Sequence, residues 1–264
     1  MNNQHITTKT DKRKNRNDSP MSTKIDSPFL PFSESENLIC AAVIAGKNSV
    51  SSDSKPPALD SCERYVYSLV NEYHLCRQFL KGIEKAISRF DREGNTKQKN
   101  WAKQKRDEEQ GHHLPALIGI NLLGYQGDKV VEVEALTSPV TKSLNAHLTK
   151  ILEGSNPIDI LGYVCTSEFL SACIGKKYIE KVEALLPPSI SFDATRCLRI
   201  HSSVGADANH FEEMIQVIAE LTSKERERVA IACYETSRLY FTPPKQGYIT
   251  NQQIRDLLKP FKLQ

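Results

Sequence analysis

The chain has 264 residues, enough to bury a sizeable core, and its 35 basic and 32 acidic side chains give a net charge of +3. This balanced charge gives no strong attraction to nucleic acid or to an anionic membrane, so we expect neither as a partner. The seven cysteines are scattered and include no C-x-x-C pair. That usage is typical of reduced thiols in a cytoplasmic protein, and it argues against a disulfide framework or a zinc–cysteine site.

Residues 1–56 are rich in Ser, Asn, Lys and Pro and have no sustained helical periodicity. We predict that they form a mostly disordered N-terminal tail. Two apolar stretches, 28–32 and 38–44, are expected to pack onto the body of the protein, the second as a short helix. The apolar run 38–45 is far shorter than the roughly 20 residues that span a bilayer, and residues 1–28 lack the apolar segment of a secretory signal.

From residue 57 to residue 264 the pattern predicts a single all-α domain, in which Gly and Pro residues separate the helices. The predicted helices span about 59–91, 98–123, 137–153, 157–185, 190–221 and 224–240. The last of them is expected to complete the core or to form the contact of a homodimer. Residues 129–133 are a weak strand candidate.

Carboxylates and histidines occur on four of these helices at positions that we expect to face the core. Glu72 and Glu168 each lie on an apolar stripe with helical spacing. Because an isolated buried carboxylate is costly, such a group is normally paired, protonated or bound to a metal. Two further acids, Glu109 and Asp207, each precede a histidine by three residues, a spacing that puts both side chains on one helix face.

The whole set predicts a metal site, because helical bundles hold two iron or manganese ions with inward carboxylates and Glu-x-x-His pairs. These oxygen and nitrogen donors, without thiolates, suit iron or manganese better than a structural zinc site. For any one of the residues taken alone, a core histidine with a hydrogen-bond partner or a carboxylate paired with Lys or Arg is the structural alternative.

Five short segments, in this order and spacing, resemble the haem-oxygenase-like diiron oxidases and oxygenases, whose wider fold includes the TenA and PqqC types. The segments are 71–73 (NEY), 108–113 (EEQGHH), 122–125 (LLGY), 167–169 (SEF) and 201–211 (HSSVGADANHF). The resemblance covers residues 59–222 and implies a haem-oxygenase-like bundle of about six to seven helices. It also implies Fe(II) as the cofactor, with two ions, or manganese in its place. The implied ligands are Glu72, Glu109, His112, Glu168, His201, Asp207 and His210.

The last ligand group departs from the family pattern. His201 precedes Asp207 by six residues where the family has four, and on a regular helix this spacing turns the two side chains roughly 120° apart. Gly205 lies between them and would permit a bulge or an unwound turn. Three neighbouring residues, Glu108, His113 and Glu213, are alternative ligands, and we expect them instead around the ligands or at the surface.

The resemblance implies a non-haem diiron oxidoreductase that activates O2 to oxidise a small organic substrate. Members of the family act on fatty acids, amino acids and guanidine nitrogens, and no feature of this sequence selects among them. Two alternatives remain. One is a metal-free TenA/PqqC-like enzyme of cofactor biosynthesis that uses the buried polar residues as acid–base groups, and the other is a non-catalytic helical interaction protein.

Overall fold

The computed structural model describes residues 34–50, 56–202 and 209–264. The described residues are mainly helical and contain no strand, only an isolated bridge between Tyr125 and Lys262. This confirms the all-α prediction. Among the same residues, no helix is both long enough and apolar enough to cross a membrane. The helices are α1 (Glu34–Asn48), α2 (Cys62–Arg92), α3 (Thr96–Glu109), α4 (His113–Leu122), α5 (Gly127–Val130), α6 (Pro139–Glu153), α7 (Asp159–Ala172), α8 (Lys176–Glu183), α9 (Ser191–Ala194), α10 (Arg196–Ile200), α11 (His210–Ala219), α12 (Ser223–Phe241) and α13 (Asn251–Leu258).

Helix α2 is the long central helix and belongs to both apolar clusters of the described residues. Ser61 caps it, because the Ser61 side chain accepts a hydrogen bond from a backbone N–H of the first turn. Tyr65 and Leu69, in its first half, are buried with residues of α4 and α13. Ile83 and Phe90, in its second half, are buried with residues of α6, α7, α11 and α12. The middle of α2 therefore lies where the two clusters meet.

Helix α1 lies inside the segment predicted as a mostly disordered tail. Only 38–44 was expected as a short helix, whereas the structure has a helix over Glu34–Asn48. It packs along α12 and buries Ile39 and Val43 in the larger apolar cluster. Because these side chains leave water on packing, α1 is held against the helical body although it lies within the predicted tail.

Three predicted helices are broken into shorter ones. The predicted helix 98–123 is divided between α3 and α4, and 157–185 is divided between α7 and α8. The predicted helix 190–221 becomes α9, α10 and α11, with residues 203–208 outside the described part. Residues 129–133 are not a strand, since they form the end of α5 and a turn. The described residues therefore hold more and shorter helices than the six to seven expected.

Candidate metal centre

One part of the candidate site lies at the middle of α2. Glu72 and Cys76 are one helical turn apart and face His201, which directly follows α10. Cys76 Sγ donates a hydrogen bond to Glu72 Oε1 at 3.5 Å and lies 3.9 Å from His201 Nε2. His201 Nε2 lies 3.8 Å from Glu72 Oε1. Each of the three residues offers a ligand atom close to the others, so they form a potential metal-binding group.

Glu109 and His112 approach each other across a break between two helices. Glu109 is the last residue of α3, and His112 immediately precedes α4. Gly111, between them, has φ 89°, a left-handed conformation that favours glycine. His112 Nδ1 nevertheless lies 2.9 Å from Glu109 Oε2, so the predicted pair is adjacent without a continuous helix. The His112 ring also meets the His201 ring edge to face, with centroids 5.2 Å apart.

Glu168 on α7 and His210 at the start of α11 form the other side of the cluster with Glu109. Their ligand atoms lie close enough together to form a second potential metal-binding group. His210 Nδ1 is 3.8 Å from Glu168 Oε2. Glu109 and Glu168 are both buried. Buried carboxylates so close together are stabilised by a nearby cation or by a proton.

Lys105 supplies a cation that was not predicted from the residue pattern. Its ammonium group lies 2.6 Å from Glu168 Oε1, 3.2 Å from Glu109 Oε1 and 3.5 Å from Glu108 Oε2. It also lies 3.0 Å from His210 Nδ1. The Lys105 side chain is only 4% exposed. A signal for this residue was present in the sequence, because Lys105 is four residues before Glu109 and therefore shares its helix face.

The charges in this cluster shift one another's pKa values. Burial acts to lower the pKa of Lys105, but the Glu168 and Glu109 carboxylates outweigh it and raise that pKa above its usual value. Burial acts to raise the pKa of Glu109, but His112, Lys105 and His201 outweigh it and lower that pKa to about 2. Burial raises the pKa of Glu168, while Lys105 opposes the shift. At neutral pH the buried Lys105 is therefore charged and Glu109 is ionised.

Among the described residues, six of the seven predicted ligands lie in this one cluster. They are Glu72, Glu109, His112, Glu168, His201 and His210. Asp207 lies outside the described residues, as does the bulge expected at Gly205. Cys76 belongs to the cluster by position but was not predicted as a ligand, because a lone cysteine has no metal-ligand spacing to a second cysteine.

The three neighbouring residues named from the sequence lie in two different places. Glu108 Oε2 is 3.9 Å from His210 Nε2, and the two form a further potential group with Glu213, which is exposed. His113 instead packs edge to face against the Tyr73 ring, with centroids 5.6 Å apart. Glu108 thus lies around the ligands as expected, while His113 packs against an aromatic ring.

Comparison with solved structures identifies the architecture. The chain resembles a domain of unknown function with a haem oxygenase-like fold from Shewanella denitrificans OS217, with a TM-score of 0.56, 18% identity, and coverage of 86% of this chain and 88% of that one. It also resembles a TenA homologue from Pseudomonas syringae pv. tomato str. DC3000, with a TM-score of 0.52, 13% identity, and coverage of 79% of this chain and 91% of that one. The chain has a haem-oxygenase-like fold. No family model and no curated protein matches its sequence.

The donor set of this haem-oxygenase-like fold fits a divalent cation. Metal bonds of about 2.1 Å place neighbouring ligand atoms about 3 Å apart, close to the 2.9 Å between His112 Nδ1 and Glu109 Oε2. His112 Nδ1 is buried, has no hydrogen bond of normal geometry to any described residue, and at 2.9 Å from Glu109 Oε2 is placed to share a cation with that carboxylate. In the described cluster, the carboxylates of Glu72, Glu108, Glu109 and Glu168 outnumber the single ammonium group of Lys105. This excess negative charge favours a bound cation.

A cavity of about 740 Å³ lies beside the cluster. Glu72, Cys76, Glu109, Glu168 and His201 form one wall of it, and the remaining lining is mainly apolar. The apolar stripe of Glu72 predicts a buried side chain. The Glu72 side chain is instead 38% exposed, because it faces the cavity. The volume falls within the range of small-molecule sites in proteins.

Proposed function

We propose that this protein is an iron-dependent oxidase or oxygenase that uses O2 to oxidise a small organic substrate at a non-haem two-iron site. The observation that carries the proposal is the convergence of Glu72, Glu109, Glu168, His112 and His201 beside a mainly apolar cavity. Carboxylates and imidazoles projecting from several helices are a donor set that binds iron or manganese.

The chain's residues divide into two ligand groups in this proposal. Glu72, His112 and His201 hold one ion, with Cys76 beside them. Glu168 and His210 hold the other, and Glu109 lies between the two groups. Iron(II) bound in this way supplies the electrons that reduce O2, chemistry that protein side chains alone do not perform. The apolar part of the cavity binds the substrate against the ligand wall and limits access of water.

Two of the tyrosines near the ligands have structural hydrogen bonds. The Tyr65 hydroxyl donates to Ala194 O at 3.1 Å, and the Tyr73 hydroxyl accepts from Arg77 Nη1 at 2.9 Å. Tyr163 lines the cavity and stacks on Phe79, and burial raises its pKa. Tyr65 also lines the cavity, but its hydroxyl is already bonded to Ala194 O, so Tyr163 is the one of the three placed to contact a substrate as a neutral phenol.

The test is anaerobic reconstitution with Fe(II), removal of free iron, elemental analysis, and then measurement of O2 consumption. We expect bound iron and O2 consumption in the wild type. Glu109→Gln and His112→Ala should lose most of the iron, because each removes a ligand at the centre of the cluster. Asp107→Asn is the matched control on the same helix, since Asp107 is exposed and pairs with Arg106.

Circular dichroism and the thermal midpoint check that each variant is folded. Folded Glu109→Gln and His112→Ala proteins with unchanged iron content would refute the ligand assignment. A folded wild type with no iron above background would refute the two-iron site itself.

A second candidate is a metal-free enzyme that uses the same pocket for acid–base chemistry, as the similarity to a TenA homologue allows. The observation that favours it is Lys105, whose ammonium group already neutralises part of the charge of Glu109 and Glu168. This candidate predicts no iron binding by the folded wild type, so the same elemental analysis distinguishes the two functions.

A further inference from the structure

We propose that Lys105 occupies the position of one metal ion, so that a second ion binds only when Lys105 withdraws. The proposal rests on the proposed metal site. The Lys105 ammonium group is surrounded by Glu168 Oε1 at 2.6 Å, His210 Nδ1 at 3.0 Å and Glu109 Oε1 at 3.2 Å. These three residues are also one of the potential metal-binding groups of the described chain.

The oxygen and nitrogen atoms around the ammonium group carry the lone pairs that a metal ion would need. An ammonium group is only a donor, so His210 Nδ1 and the carboxylate oxygens must accept from it. A lone pair that accepts a hydrogen bond from Lys105 cannot bind a metal ion at the same time. Because His210 Nδ1 has a single lone pair, and because two cations between the same carboxylates repel each other, Lys105 and a metal ion between Glu109, Glu168 and His210 exclude each other.

The other ligand group does not contain Lys105. Glu72, Cys76 and His201 form their own potential metal-binding group, and no contact of 4.0 Å or less between Lys105 and a carboxylate of that group occurs in the described residues. A first ion thus binds there without displacing an ammonium group. The second ion has to displace hydrogen bonds to charged groups, which makes its binding weaker by tenfold or more.

Equilibrium dialysis against Mn(II), with elemental analysis, tests the proposal without any need for activity. We expect the wild type to bind one ion tightly and a second at least tenfold more weakly. Lys105→Met should tighten the second site at least tenfold, and Lys105→Gln should act in the same direction. Lys103→Met is the matched control, because Lys103 is exposed on the same helix, and it should bind as the wild type does.

Unchanged Mn(II) binding in folded Lys105→Met and Lys105→Gln would overturn the role of Lys105 while leaving the metal site intact. Weaker binding in both variants would also overturn it, since Lys105 would then support the ligands and not compete with the ion. If neither the wild type nor the variants bind Mn(II) or Fe(II), both the metal site and the role of Lys105 are refuted.

A labelling measurement on the wild type makes the test independent of whether the variants fold. The Lys105 side chain is 4% exposed, so an amine-reactive acylating reagent should modify it slowly in metal-free protein. At Mn(II) concentrations that fill both sites, mass spectrometry should detect faster acylation of Lys105 and unchanged acylation of Lys103. An unchanged rate at Lys105 with two ions bound would overturn the proposal.

Discussion

Replacement of Gly162 by alanine tests the packing that positions Glu168. Gly162 lies in α7, six residues before Glu168, where α7 packs against α12. A Cβ atom at residue 162 would lie 2.5 Å from Val229 O and 2.6 Å from Ala232 Cβ. These distances are about 1 Å shorter than ordinary van der Waals contact, so the two helices must move apart.

Overpacking of this kind costs about 1–3 kcal/mol, and we expect about 2 kcal/mol because the backbone of α12 cannot rotate away. For a domain of this size each kcal/mol lowers the thermal midpoint by roughly 2–4 °C, so Gly162→Ala should unfold about 4–8 °C below the wild type. Thermal unfolding followed by circular dichroism, together with urea unfolding, measures the change.

The control for this prediction is Gly175→Ala. Gly175 precedes α8 with φ −93°, and a Cβ atom there meets no described atom within 4 Å. The change should cost less than about 1 kcal/mol, the loss expected when alanine replaces glycine at a helix N-cap. A Gly162→Ala protein that unfolds at the wild-type midpoint would refute the close approach of α7 to α12.

Three further predictions concern other parts of the protein. Gly111→Ala should lose about 1–2 kcal/mol in urea unfolding, because alanine does not tolerate φ 89°, and a loss near zero would contradict the break between α3 and α4. Arg64→Met should raise proteolysis near Asn251, because buried Arg64 donates to Asn251 Oδ1 at 2.7 Å, and an unchanged digestion pattern would count against that link. Iodoacetamide should label exposed Cys173 well before buried Cys165. Burial raises the pKa of the Cys165 thiol, and only the thiolate reacts. Equal labelling rates by mass spectrometry would show that Cys165 is accessible.

The sequence predicts most accurately the helices that begin at a Ser or Thr cap and carry a long apolar stripe. Helices 59–91, 137–153 and 224–240 correspond closely to α2, α6 and α12. Ser61, Ser138 and Thr222 each cap one of these helices by accepting a backbone hydrogen bond. Helix α13 was missed, although Thr250 and Gln253 form a capping box at its start and are the signal that the sequence offers.

The sequence predicts the breaks in the helices less well, because a single glycine inside a helical pattern does not by itself predict a stop. Between α3 and α4 the backbone is extended at Gln110 (ψ 116°) and left-handed at Gly111 (φ 89°), and neither conformation is evident from the residue pattern. The predicted proximity of Glu109 and His112 nevertheless holds, because the two side chains remain adjacent across this break. Lys105 was missed because a lysine in a highly polar helix normally faces solvent, and its burial depends on contacts with α7 and α11.

Anomalous X-ray scattering from crystals soaked with Mn(II) tests the central claim most directly. The proposed metal centre predicts an anomalous peak among Glu72, Glu109, His112 and His201, and a weaker one among Glu109, Glu168 and His210. Well-ordered side chains at these positions, with no peak at either place at millimolar Mn(II), would contradict the claim that they form a metal centre.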